Sequence, residues 1–364
     1  MKIDFLLAND TSAADQNPGC KATVYALKKM ILKQYPGAVI DSIPVGYAYT
    51  RFSRLHRFFK GSASLRTSFS WAVIGQWIWR GLGIHVAADI LKVYSFPVCV
   101  INMEGTLHHR QIGAFTLSAI AWGLTKKGVD VWMVNGTVDS LDPFFIRTAL
   151  SRVQYLSVRE DMSASYLEQF SLRPARSIDA VFSLDKLFKS NLRTTTGNRC
   201  LYTPGCVLGT ASDRDAALSM LQKHVREIRS AGLEPHFLLI DKSEAPFESV
   251  LKQMGVPIVK LTDEAFHDIA DFLREFALVV AGRYHLAIFS LVAEVPLVPI
   301  RSNTHKIESL YLTLGLKGHA LPVWGSLQRG IEAALENSCI QRVDRAIISE
   351  RLKLLLPSKS EGKL

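Results

Sequence analysis

Short apolar runs alternate with stretches of helical spacing along the chain. Lys2–Ala8 is an apolar run that predicts a buried strand. The polar segment Asn9–Pro18 follows as a loop, and Gly19–Gln34 places Val24, Leu27, Met30 and Ile31 on one face of a helix. Phe96–Met103 repeats the strand pattern, Glu104–His109 reads as a loop, and a long helix runs to about Lys127. Val129–Val138 and Tyr155–Arg159 are further strands. Helices start at Asp142-Pro143 and near Asp161, and Ser177–Leu184 closes the series.

A second series begins at Arg199–Pro204. Strands at His236–Asp241, Pro257–Leu261, Phe276–Ala281 and Val295–Ile300 alternate with helices at Ser212–Ala231, Phe247–Met254, Glu264–Glu275, Arg283–Glu294 and Ile307–Leu314. Such alternation predicts parallel sheets covered by helices, an α/β fold. Two series predict two Rossmann-like lobes, residues 1–185 and 199–364. The polar, basic segment 186–198 is the linker, and 358–364 forms a frayed tail. Doubly wound lobes place an active site at the carboxyl ends of their strands, here in an interdomain cleft.

Length supports two cores, since 364 residues exceed what one usually serves. A net charge of +10 favours anionic partners. Neither zinc-finger spacing nor an aromatic RNA-binding motif is present, so nucleic acid is not the expected partner. Five scattered cysteines without a CxxC pair argue against a disulfide framework and a structural zinc, and no metal or cofactor is expected. The N-terminal apolar stretch is too short for a secretory signal, and Arg80 stops the apolar segment Trp71–Trp79. A cytoplasmic protein is expected, with contact at the inner face of the membrane left open.

Four post-strand segments carry candidate chemistry. Asn9 and Asp10 open the first, which ends in Gly19 at a helix start, where backbone N–H groups favour an anion. The second joins Glu104, Gly105, His108, His109 and Arg110, combining a proton acceptor with imidazoles that titrate near neutrality. The third is Ser157-Val158-Arg159-Glu160. Its arginine can fork onto a carboxylate or phosphate, with Asp179 to orient it, or pair with a neighbouring acid. In the fourth, Gly282-Arg283-Tyr284-His285 puts two basic side chains into a helix start, which is unfavourable unless an anion is bound. Lys306 follows the next strand.

Taken in this order, Asn9–Ala22, Asn102–His109, Ser157–Ser163, Asp179–Phe182, Arg283–His285, Val295-Pro296 and Lys306 resemble the polysaccharide pyruvyl transferase family. The usual Gly-Asp of the first loop is replaced by Ala14-Asp15 or Gly19-Cys20. The resemblance implies a GT-B-like arrangement and transfer of a pyruvyl group from phosphoenolpyruvate to a sugar, as a cyclic ketal. The sugar would belong to a surface, capsular or exopolysaccharide or a lipid-linked precursor. It implies Arg159, Arg283, His285 and Lys306 around the donor's charges, with His285 as acid or phosphate stabiliser and Glu104 or His108 as base.

Two other readings stand beside it: a GT-B-type glycosyltransferase using a nucleotide sugar, with Asp263-Glu264 for the ribose, and a non-catalytic binder of acidic glycan or nucleic acid. Residues 51–60 mix arginines with aromatics. They fit either an anionic membrane surface that offers a lipid-linked sugar or an amphipathic helix packed on the first lobe.

Overall fold

The structure, a computed structural model, describes residues 4–12, 17–44, 46–61, 69–108, 111–184, 197–205, 214–240, 242–261, 265–336 and 342–358. The chain forms two compact units. Residues 1–13, 23–180 and 349–364 make the first, and 14–22 and 181–348 the second.

The first unit is built on a sheet of β1 (Asp4–Asp10), β2 (Val39–Pro44), β3 (Val98–His108), β4 (Asp130–Asp139), β5 (Tyr155–Val158) and β6 (Ala175–Arg176). Its order is β2-β1-β3-β4-β5-β6 and every pairing is parallel. Helices α1 (Pro18–Gln34, whose residues up to Ala22 count with the second unit), α2 (Tyr49–Gly61), α3 (Phe69–Val93), α4 (Ile112–Lys126), α5 (Pro143–Thr148) and α6 (Asp161–Glu168) alternate with the strands. The central strands are buried on both faces, as parallel strands between helix layers must be, which is why they read as continuous apolar runs. The edge strand β2 alternates instead and escaped the sequence reading.

The second unit has β7 (Arg199–Thr203), β8 (Glu234–Leu239), β9 (Ile258–Lys260), β10 (Leu278–Ala281) and β11 (Leu297–Pro299), all parallel, in the order β11-β10-β7-β8-β9. Helices α7 (Arg214–Ser230), α8 (Glu248–Gln253), α9 (Ile269–Leu273), α10 (Tyr284–Val292), α11 (Lys306–Thr313) and α12 (Gln328–Glu336) belong to it, and α13 (Arg345–Lys353) straddles the boundary. The expected helix Glu264–Glu275 is a 3-10 turn at Ala265–His267 followed by the short α9.

Three expectations shift. Asn9 and Asp10 belong to β1, and Glu104–His108 extend β3 rather than forming a loop. Pairing with β4 carries the strand on through polar residues, with Glu104 opposite Gly136 and His108 opposite Asp139. The C-terminal residues 349–364, expected with the second lobe, belong to the first unit. Leu355 and Leu356 are buried there, the Ser157 hydroxyl donates to the Leu355 carbonyl at 2.8 Å, and Arg351 forks onto Asp161 at 2.7 and 3.0 Å. Of the expected linker 186–198, residues up to 196 lie outside the described ones, as does the tail from 359.

Candidate functional site

A doubly wound sheet binds ligands where its strand order reverses, beyond the carboxyl ends of the strands. In the first unit that point lies between β1 and β3, because β2 sits on one side of β1 and β3 to β6 on the other. Asn9, Asp10, Glu104 and Gly105 all end or extend these two strands. Asn9 and Glu104 adopt left-handed backbone, φ 61° and 40°, and Asn135 on β4 does the same at 60°. Asparagine tolerates this region and glutamate does so at a cost, so strain collects at this edge of the sheet.

Hydrogen bonds across the strand ends hold the arrangement. The Asn9 amide donates to the Asn102 carbonyl at 2.7 Å, and the Asn135 amide donates to Asn102 Oδ1 at 3.3 Å. Asn135 Oδ1 accepts from the Ala180 N–H at 2.9 Å. The Thr11 hydroxyl donates to Glu104 Oε2 at 3.0 Å, which aims the carboxylate. Asp10 accepts from Lys28 Nζ at 2.8 Å and from Ser12. Burial alone would raise its carboxyl, but these donors outweigh that and hold it below the usual carboxylate range. His108 is buried further along β3, on the order of 10 Å beyond Glu104 on an extended strand. His109 and Arg110 lie outside the described residues.

Arg159 is buried and is held by residues of the first unit. Nη1 donates to Asp179 Oδ2 at 2.8 Å, while Nε and Nη2 donate to the Thr137 hydroxyl oxygen at 3.1 and 2.9 Å. That hydroxyl donates to Glu160, whose other oxygen accepts from Ser163 at 2.9 Å. Glu160 therefore joins Asp179 in countering the guanidinium, at 3.6 Å from Nε. Asp179 orients Arg159 as the sequence suggested, from coil beyond β6 rather than from a strand. A Cβ built on Gly105 would stand 3.9 Å from Arg159 Nη2, so this network lies directly beside Glu104-Gly105.

In the second unit the strand order reverses between β7 and β10. Here the backbones of Pro204-Gly205 and Gly282 pass so closely that a Cβ on either glycine would overlap the other segment. The chain then turns into α10. Arg283 is the residue before its first turn and pairs with the fully buried Glu244, from the segment after β8. His285 follows in the first turn, part-exposed, with Gly19 packed against its ring. The Gly19 N–H donates to Asn17 Oδ1 at 3.0 Å. Lys306 opens α11 and donates to Asn303 Oδ1 at 3.0 Å.

The structure thus brings Asn9, Asp10, Glu104, Gly105, Arg159 and Asp179 together at one reversal point. It puts Arg283 and His285 at the other and Lys306 after the next strand, β11. Sequence reasoning quoted Asn102 only as the start of a segment and passed over Asn135, Thr137 and Glu244. Glu244 left a signal: a basic pair at a helix start calls for an acid. Among the described residues no group of His, Cys, Asp and Glu is placed to hold a metal ion.

Two parallel α/β sheets flanked by helices, with a polar cluster at each reversal point, make a GT-B-like fold. The fold is similar to that of S. aureus MnaA in its co-structure with UDP, with a TM-score of 0.56, 12% identity and coverage of 99% of this chain and 94% of that chain. It is also similar to Methanocaldococcus jannaschii UDP-GlcNAc 2-epimerase in complex with UDP-GlcNAc and UDP, with a TM-score of 0.51, 12% identity and coverage of 99% and 97%. The Neisseria meningitidis UDP-GlcNAc 2-epimerase bound to UDP-GlcNAc gives a TM-score of 0.51 at 10% identity, with full coverage of both chains. At these identities the likeness speaks for the fold alone. No curated protein matches the sequence. The family profile described as polysaccharide pyruvyl transferase matches residues 17–304, and the chain belongs to that family.

Proposed function

We propose that this transferase moves the pyruvyl group of phosphoenolpyruvate onto two hydroxyls of a sugar, giving a cyclic ketal and inorganic phosphate. The observation that carries the reading is that the matched span, 17–304, takes in the glutamate at one reversal point and the imidazole at the other.

In this reading His285 gives a proton to the methylene carbon of the enol, and the electron-poor carbon beside it accepts the first sugar hydroxyl. Glu104, with His108 as the other candidate, takes a hydroxyl proton. The second hydroxyl then displaces phosphate, which carries off the remaining proton. Arg283 and Lys306 meet the donor's carboxylate and phosphate. Asn9 and Asp10 face acceptor hydroxyls, and Gly105 leaves room for the sugar. Arg159, held by Asp179, stands beside Gly105.

Incubation with phosphoenolpyruvate and a panel of sugars, including lipid-linked ones, should release phosphate and add a pyruvyl ketal to one acceptor. An unchanged rate in His285→Ala would overturn the assignment of the acid. A nucleotide-sugar reading draws on the neighbours bound to UDP-GlcNAc or UDP. Asp263-Glu264, its candidate ribose ligand, lies outside the described residues. Thermal stabilisation by UDP-sugars and not by phosphoenolpyruvate would favour that reading.

A further inference from the structure

Helix α3 carries an apolar stripe turned to solvent. Ile74, Trp77 and Ile78 recur at helical spacing and are 46%, 67% and 48% exposed. The opposite side of the same helix is core: Trp79 is fully buried, its indole N–H donates to the Phe115 carbonyl at 3.0 Å, and Val86, Ala87 and Ile90 follow it inward. The helix therefore has its full packing partner already, and the stripe is surplus to it.

A cation stands against the stripe and others lie on the neighbouring helices. The Arg80 guanidinium lies 5.9 Å from the Trp77 ring, 5.8 Å from Trp122 and 5.6 Å from Phe144. Lys126 and Arg152 sit over Trp122 at 4.7 and 5.5 Å. On α2, Arg54 and Arg57 are exposed. Helices α2, α3 and α4 together contain one acidic residue, Asp89, which is neutralised by Arg51 and Lys92. An apolar, tryptophan-bearing stripe inside a field of one sign is complementary to one kind of surface, an anionic lipid bilayer. Apolar side chains enter the headgroup boundary while long basic side chains reach the phosphates.

We infer that the first unit docks peripherally on anionic membrane through Ile74, Trp77 and Ile78 of α3, with Arg54, Arg57 and Arg80 as the electrostatic collar. The segment 51–60 that the sequence suggested contributes Arg54 and Arg57 to this contact, while its described apolar side chains turn inward. There Phe52 is buried, Leu55 packs on the core, and the His56 ring meets Phe115. No helix among the described residues is long and apolar enough to cross a membrane, so the contact is one of lying on the surface. The docking is independent of which group the enzyme transfers.

The test is flotation of the full chain with phosphatidylcholine vesicles, with and without a minority of phosphatidylglycerol. The wild type should float with the anionic vesicles only, and less so in high salt, which screens the collar. Trp77→Ser with Ile78→Ser should abolish flotation, and Arg54→Gln or Arg57→Gln should each weaken it roughly fivefold. Circular dichroism and light scattering accompany each variant, and all these side chains are exposed, so the fold should hold. Equal flotation of the Trp77/Ile78 variant would overturn the proposal. So would a wild-type dimer that the same variant turns into a monomer, since the stripe would then be a contact between copies.

Discussion

Gly19 lies against the imidazole of His285, and any side chain at position 19 would overlap Cβ, Cγ and Nδ1 of that residue. The helix start that carries Gly19 and the one that carries His285 thus meet at a point where only hydrogen fits. Gly19→Ala should push the ring out of position. A displacement of an ångström commonly costs about a hundredfold in rate, so kcat/KM should fall by about that factor with the fold retained. Steady-state phosphate release beside a thermal melt checks it.

Glu104→Gln separates the carboxylate's charge from its shape. The amide can still accept from Thr11, so the denaturation midpoint should stay near that of the wild type. The loss of a proton acceptor should lower turnover by about two to four orders of magnitude. A variant retaining full activity would move the role of base to His108.

Arg159→Met should be mainly a stability variant. Removing the guanidinium leaves Asp179 and Glu160 buried without their counter-ion, a change that typically costs about 3–5 kcal/mol. Urea unfolding should show it directly. A variant as stable as the wild type but weak in donor binding would instead return Arg159 to the role of substrate ligand.

His224 gives a pH dependence of known sign. Its Nε2 stands 3.2 Å from the Gly325 carbonyl, which only accepts, so Nε2–H donates and Nδ1 accepts from the Tyr202 hydroxyl at 2.8 Å. Burial holds the imidazole below its ordinary range. The unfolded chain therefore binds a proton that the folded chain refuses. Stability is full above about pH 6.5 and falls as the pH drops from there toward the folded value. His224→Phe should flatten that part of the stability profile, read from denaturant midpoints between neutral and mildly acid pH.

The alternation of apolar strands and helices was legible in the sequence because parallel strands covered on both sides are apolar along their length, as Val98–Ile101 and Leu278–Ala281 are. The ends of the strands were not. Asn9, Asp10 and Glu104–His108 stay in the sheet by backbone pairing, which leaves no trace in hydropathy. The four chemical segments were visible as polar residues following apolar runs. Their partners were not, since Thr137 with Arg159 and Glu244 with Arg283 are joined only by the folded topology. Arg159 read either as a fork for an anion or as one half of an ion pair, and only the folded topology shows Asp179 and Glu160 standing against it.

The return of residues 349–358 to the first unit has a topological consequence. A fragment ending near residue 184 would not be a shortened copy of that unit. It would lack the carbonyls that receive the hydroxyls of Tyr155 and Ser157, the guanidinium that straddles Asp161, and the acceptor for Gln34. All six strands of its sheet precede the second unit in the chain, yet the first unit gains its last packing partner only after the whole second unit has been synthesised.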